Sequence, residues 1–267
     1  QALASASCFF ERTAMNEKTI SRRSLLKLAS ASTVTAAAVL PSAVRAAQTD
    51  QWDETYEIIV VGAGGAGMAA AVKAAQKGAK HVVVLEKLNF PGGNTLISQG
   101  FINAADPVRQ PKQGIKDSWQ HHAEQTLEAG DFRGQKDRVD VLCRNASPTI
   151  EWLESLGMQF KPKVIQIFGA LYPRSHVPAL PKGQGYGTVL SKAAKELGVE
   201  VRTGMGVEEI IREKPFEGDV LGVVAKNAKG EIKRIRATRG VVLAAGGFSA
   251  NKYLRELHDP RVAGLGT

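Results

Sequence analysis

Six residues, Gly62-Ala63-Gly64-Gly65-Ala66-Gly67, follow directly on the apolar run Glu57-Ile58-Ile59-Val60-Val61 and open an alanine-rich stretch from Met68 to Lys77. Glycines at this spacing do three separate jobs. Gly62 permits a tight turn, Gly64 lets bare backbone approach a phosphate, and Gly67 lets the following helix pack close on the strand. The helix start adds free N–H groups and a positive dipole end, which favour an anion. A second apolar run, His81-Val82-Val83-Val84-Leu85, ends at Glu86, 19 residues after Gly67. A carboxylate there accepts from ribose hydroxyls and repels a 2′-phosphate, so the pattern reads as a dinucleotide site that disfavours NADP.

The elements needed to position these residues are legible around them. Both runs are short, β-branched and free of internal polarity, as expected of parallel strands buried on both faces. Gly78 stands where it can end the intervening helix. The fold class is therefore α/β: a Rossmann-like domain with a parallel sheet. A second glycine-rich segment, Phe90-Pro91-Gly92-Gly93-Asn94-Thr95, leads into Ser98-Gln99-Gly100-Phe101-Ile102-Asn103-Ala104-Ala105. Close backbone approach at a second place along the cleft suits a long ligand. A third apolar strand, Arg239-Gly240-Val241-Val242-Leu243, enters Ala244-Ala245-Gly246-Gly247-Phe248.

Between these landmarks, Asp117 to Ala129 and Gln135 to Arg144 read as helices. Ser147-Pro148 reads as the cap and first position of another helix, running to Leu156 and stopped by Gly157. Trp119, Trp152 and Leu156 read as core. Gly187 to Leu197 is an amphipathic helix, followed by Val199-Glu200-Val201-Arg202. Val207–Glu213, Val220–Asn227 and Glu231–Ala237 read as an antiparallel β-meander inserted ahead of the last parallel strand. The adjacent pair His121-His122 projects about 100° apart on a helix, unsuited to one metal, and reads as solvated. Arg174-Ser175-His176 is the polar cluster that could face a substrate; the alternative is a loop satisfying its own backbone. No metal site is expected.

The ordered trio of GAGGAG with Glu86-Lys87, PGGNT continuing to SQGFINAA, and LAAGGF resembles the FAD subunit of the fumarate reductase/flavocytochrome c family, in its soluble, exported branch. The similarity runs from about Tyr56 to Thr267. It implies an FAD-dependent oxidoreductase that reduces the C=C bond of an unsaturated carboxylate. It assigns Gly62, Gly64, Ala66, Gly67, Glu86 and Lys87 to the ADP half. Asn94, Thr95, Gln99 and Gly100 would lie along the pyrophosphate and flavin, and Val207, Ala244, Ala245 and Gly246 on the adenine side. Gly65 and Gly93, from the two glycine-rich loops, complete the candidate cofactor set.

Departures from the family pattern sharpen this. Relatives with covalent flavin carry a histidine where Asn94 stands, so FAD is expected to be non-covalent. Without a CxxCH haem motif, electrons must come from a separate cytochrome or quinol dehydrogenase. In the resembled family the catalytic acid and carboxylate clamps lie in a capping domain and a final return segment, which fall beyond Thr267, so no catalytic residue is assigned. Two other readings stay open: a flavin dehydrogenase of ketosteroid or succinate type, and a non-catalytic flavin-binding or electron-relay protein. A NAD dehydrogenase leaves the second and third glycine-rich segments unexplained.

The N-terminal residues read as an address. Met15 opens a short basic region containing Ser21-Arg22-Arg23-Ser24-Leu25-Leu26-Lys27, a twin-arginine export signal, with a weakly apolar stretch from Leu28 to Leu40 and a small-residue cleavage site before Ala47. The expected organisation is an upstream segment over residues 1–14, a signal peptide over 15–46 and the FAD-binding domain over 47–267. The leader is too short in apolar residues to span a membrane. It holds +4 of the chain's formal net charge of +9. The remaining excess is modest and without dense basic runs, so nucleic acid is not indicated. A periplasmic location follows, and only Cys143 remains of the two cysteines after cleavage.

Overall fold

A computed structural model describes residues 51–262 and 264–266. The leader, its arginine pair and Cys8 lie outside the described residues.

The first strand, β1 (Glu54–Val61), ends in the three residues Ile59-Val60-Val61, which are buried. It is followed by α1 (Gly65–Gln76) and by β2 (Val82–Leu85), whose four residues are all buried. β1 and β2 pair in parallel, Ile58 opposite Val82 through Val61 opposite Leu85. A short helix α2 (Gly93–Ile97) and strand β3 (Ile102–Asn103) come next, then α3 (Trp119–Ala129), capped by the Ser118 hydroxyl, which accepts from the His121 N–H. Beyond these come α4 (Lys136–Ser155), β4 (Ser175–His176) and α5 (Gln184–Glu196). Strands β5 (Glu200–Arg202), β6 (Met205–Lys214), β7 (Glu217–Asn227) and β8 (Ile232–Leu243) complete the sheets, before the short helix α6 (Lys252–His258).

The main sheet has the order β5-β2-β1-β8-β7-β6. At its centre, β2 and the end of β1 are apolar because both faces are covered. On one face, Val60, Val82 and Val84 pack with Met68, Ala71 and Val72 of α1 and with Val189, Leu190 and Ala193 of α5. On the other, Ile59, Val61, Val83 and Leu85 meet Val223, Ala225 and Ile235 of the meander. Each fully buried aliphatic side chain contributes about 1.5–3 kcal/mol relative to exposure.

Three expectations are corrected here. The third meander strand and the last parallel strand are one strand. β8 pairs antiparallel with β7 from Ile232 to Arg236 and parallel with β1 from Ile235 to Leu243. A bulge between Tyr56 and Ile58 adjusts the register where the two pairings meet, so no turn is needed at Thr238. The two helices expected over 135–156 are likewise one. Pro148 lies inside α4, because the buried stripe Cys143, Ala146, Ile150 and Leu153 continues across it and outweighs one missing N–H bond. Residues 175–176, taken as loop, form a small antiparallel pair with 102–103, with Ile102 opposite His176 and Asn103 opposite Ser175. Among the described residues no helix is long and apolar enough to cross a membrane.

Candidate functional site

Parallel strands present their carboxyl ends on one edge, and a ligand crevice forms there where the chain order reverses. At that edge the ends of β2, β1 and β8 lie side by side, and the three glycine-rich segments come together. The Gly62 N–H donates to the Leu85 carbonyl at 2.8 Å, the Ala244 N–H to the Val61 carbonyl at 2.8 Å, and the Gly92 N–H to the Ala63 carbonyl at 2.8 Å. The Thr95 hydroxyl accepts from the Gly65 N–H at 3.0 Å, tying the second loop to the start of α1. A narrow cleft beside the turn is lined by Ala63, Gly64, Gly65, Met68, Gly92 and Thr95, with Tyr186 of α5 across from them.

The first loop is built to keep one face bare. Gly62 has φ +101°, and a Cβ there would stand 2.5 Å from the Ala244 carbonyl oxygen; one on Gly67 would overlap the Gly62 carbonyl. Side chains are therefore excluded on the packed side. On Gly64 a Cβ would meet nothing within 4 Å, so its open side faces free space. Ala66 and Gly67 sit in the first turn of α1, where helix geometry leaves their N–H groups without an intrahelical acceptor. This is a cradle for a phosphate.

Glu86 is buried, and its carboxylate accepts from the Ala63 N–H at 2.8 Å and the Leu88 N–H at 2.9 Å. It thus fixes the loop it was expected merely to face. Lys87 is exposed beside it. Val207 reaches the same edge because the Met205 N–H donates to the Glu86 carbonyl, which starts β6 at the end of β2. Ala245, Gly246, Asn94 and Gln99 are exposed, and Gly100 is buried. The Tyr186 hydroxyl, pushed up to about 12 by burial, donates to the Gly100 carbonyl at 2.7 Å. Sequence reading missed Tyr186, since its position on the apolar stripe of α5 with Val189 and Ala193 looks like ordinary core.

The polar cluster at 174–176 is held by partners within the chain. Arg174 makes a two-point pair with Asp117, Nε to Oδ2 at 2.6 Å and a terminal nitrogen to Oδ1 at 2.7 Å, and donates to Gln125 at 2.6 Å. Burial pushes the Asp117 carboxyl up, but the hydrogen bonds from Arg174, Gln110 and the Ser118 N–H outweigh it and hold it below the usual range. Ser175 and His176 are fully buried, and the Ser175 hydroxyl donates to Asn103 at 2.6 Å. Nor is His121-His122 fully solvated. His121 lies 3.1 Å from Asp117 and edge-on to Tyr172, while burial and then Arg174 push His122 down, favouring its neutral form. Among the described residues no cluster suits a metal.

With this geometry in hand, the family is decided by comparison. A family profile described as an FAD binding domain matches residues 57–265. The chain belongs to this FAD-binding family. FAD is accordingly its cofactor, and the convergent glycine loops fit it. The chain is similar to the acrylate reductase flavoprotein subunit of Shewanella woodyi, 29% identical over 253 residues, covering 92% of this chain and 50% of that protein. It is 37% identical to the urocanate reductase of Eggerthella lenta over 209 residues, 77% of this chain and 34% of that one. Among solved structures, the open conformation of a flavocytochrome c3 fumarate reductase superposes with a TM-score of 0.74 at 31% identity, covering 81% of this chain and 38% of the other. The chain thus spans half or less of the length of these relatives.

Proposed function

We propose that this chain is the FAD-binding part of an exported reductase that saturates the C=C bond of an unsaturated carboxylate. The observation that carries the reading is the meeting of three glycine-rich segments at one sheet edge, in a chain similar to reductases of acrylate, urocanate and fumarate. When bound, FAD supplies hydride transfer to the alkene.

The chain's own residues would then bind and orient it. Ala66 and Gly67 would offer N–H groups to the pyrophosphate across the bare face of Gly64, with Gly62 and Gly65 holding the turn. Glu86 would keep the loop in shape and turn its remaining lone pairs to the ribose. Lys87, Val207 and Ala244 to Gly246 would flank the adenosine. Gly93, Asn94, Thr95, Gln99 and Gly100 would run along the pyrophosphate and flavin. Asn94 has no imidazole, which supports non-covalent binding. The domain would occupy residues 47–267, behind an upstream segment (1–14) and a twin-arginine signal peptide (15–46). That export route carries folded proteins, so a non-covalent cofactor loaded in the cytoplasm would reach the periplasm. A separate cytochrome or quinol dehydrogenase would supply the electrons.

The test is oxidation of a reduced viologen dye by the protein expressed from its own reading frame, against a panel of unsaturated acids. Turnover with at least one small alkenoate and none with its saturated form is expected. A flavin-loaded protein that reduces none of them, yet oxidises a saturated substrate, would overturn the reading.

A further inference from the structure

His176 is fully buried, and both its ring nitrogens face acceptors. Nδ1 lies 3.0 Å from the Arg174 carbonyl and 3.3 Å from the Ile102 carbonyl, while Nε2 lies 2.8 Å from Asp106 Oδ2. Carbonyl oxygens only accept, so Nδ1 carries a hydrogen. A ring bearing that hydrogen alone would aim the Nε2 lone pair at a carboxylate oxygen, two acceptors in contact. A second proton must therefore lie on the Nε2–Oδ2 axis.

Asp106 tells on which atom that proton rests. Its carboxylate also accepts from the Val108 N–H at 2.6 Å, the Arg109 N–H at 2.8 Å and the Arg109 guanidinium at 3.0 Å. Both carboxylate oxygens thus already accept from N–H donors other than His176, an environment made for the charged form, and the geometry places the proton on the ring. The neighbouring charges close the balance: Arg109 pairs onward with Glu154 of α4, giving two cations and two anions. The Phe160 ring stands nearly perpendicular to that of His176, 6.1 Å between centroids, and carries no charge.

We infer that His176 is a doubly protonated positioning residue, whose ion pair with Asp106 pins β3 and, through it, the Gln99–Gly100 stretch. Its Nδ1–H reaches the Ile102 carbonyl, the Ala104 N–H donates to the Arg174 carbonyl at 3.1 Å, and Ser175 holds Asn103. β3 begins two residues after Gly100, so this clamp sets where that backbone stands beside the cofactor. The functional half rests on the flavin reading above; the protonation half does not.

The test has two arms. Long-range proton–nitrogen NMR of histidine-labelled protein at about pH 7.5, with the signal assigned by its loss in His176→Gln, reads the ring directly. Both nitrogens in the protonated range are expected; one in the unprotonated range overturns the assignment. FAD affinity and the reduction potential of bound FAD are then compared in wild type, His176→Gln, Asp106→Asn and Val223→Ala, a core truncation on the far face of the sheet. About tenfold weaker FAD binding and a displaced potential are expected in the first two variants. Val223→Ala should match wild type on both. Unchanged affinity and potential in His176→Gln would refute the positioning role. A wild type that binds no FAD would remove the flavin reading and that role with it, while the NMR arm still decides the protonation state.

Discussion

Two regions of this molecule invite a functional reading, and they are built in opposite ways. Around Asp106, Asp117, Arg174 and His176 the side chains are rich in charge, yet the groups are turned on one another. Gln110 links the two acids, donating to Asp117 and accepting from the Asp106 N–H. At the ends of β1, β2 and β8 there is little side-chain chemistry, but backbone N–H groups stand open beside Gly64. Polar richness marks the region whose charges are paired with one another, and bare backbone marks the one we propose takes FAD. A buried charge needs a partner, so burial and availability exclude one another.

That contrast can be broken first on its charged side. Arg174→Met should leave the Asp117 carboxylate buried without its guanidinium partner, costing about 3–5 kcal/mol of stability in urea unfolding. FAD affinity per folded molecule should change less than stability does. Next comes the bare-backbone side. Gly67→Ala forces a methyl group onto the Gly62 carbonyl, costing about 1–3 kcal/mol, and should abolish FAD binding in a titration followed by flavin fluorescence.

The acids sharpen the comparison through pH. Asp106 at about 2 and Asp117 below its usual range are both depressed in the folded state. Their stabilisation is therefore full above the unfolded value near 4 and is lost as pH falls toward 2. The Asp106 share is on the order of 2 kcal/mol, visible as a falling urea midpoint between those limits. Asp106→Asn should flatten that slope. The smallest effect is expected at Thr95→Val, which removes the acceptor for the Gly65 N–H. It should cost about 1 kcal/mol and weaken FAD binding about fivefold.

The parts of the fold legible in the sequence are those fixed by local physics. Apolar runs at 57–61 and 82–85 had to be buried strands, and glycines at 62, 64 and 67 had to make the turn between strand and helix. The residues that misled are those where tertiary packing overrode a local signal. Ser147-Pro148 carries a helix-start signature, but the stripe from Cys143 to Leu153 held the helix together across it. Thr238 lies between two stretches read as separate strands, Glu231–Ala237 and Arg239–Leu243, but pairing to β1 and β7 on opposite edges made them one. In the site, the glycines at 62, 64 and 67 could be read from spacing, and Thr95 from the family resemblance. The inward turn of Glu86 toward the Ala63 N–H and the reach of Tyr186 to Gly100 could not, because both depend on distances set by other elements. Arg174 and His176 looked available for the same reason: their partners lie about 50 to 75 residues away in sequence.

The central claim is that the groove at the ends of β1, β2 and β8 holds FAD without a covalent bond. The most direct measurement is the visible spectrum of the purified protein before and after acid precipitation. A yellow protein that releases FAD to the supernatant in about one equivalent per chain is the predicted result. A protein that stays colourless when FAD is added, or flavin that remains with the precipitate, would contradict it.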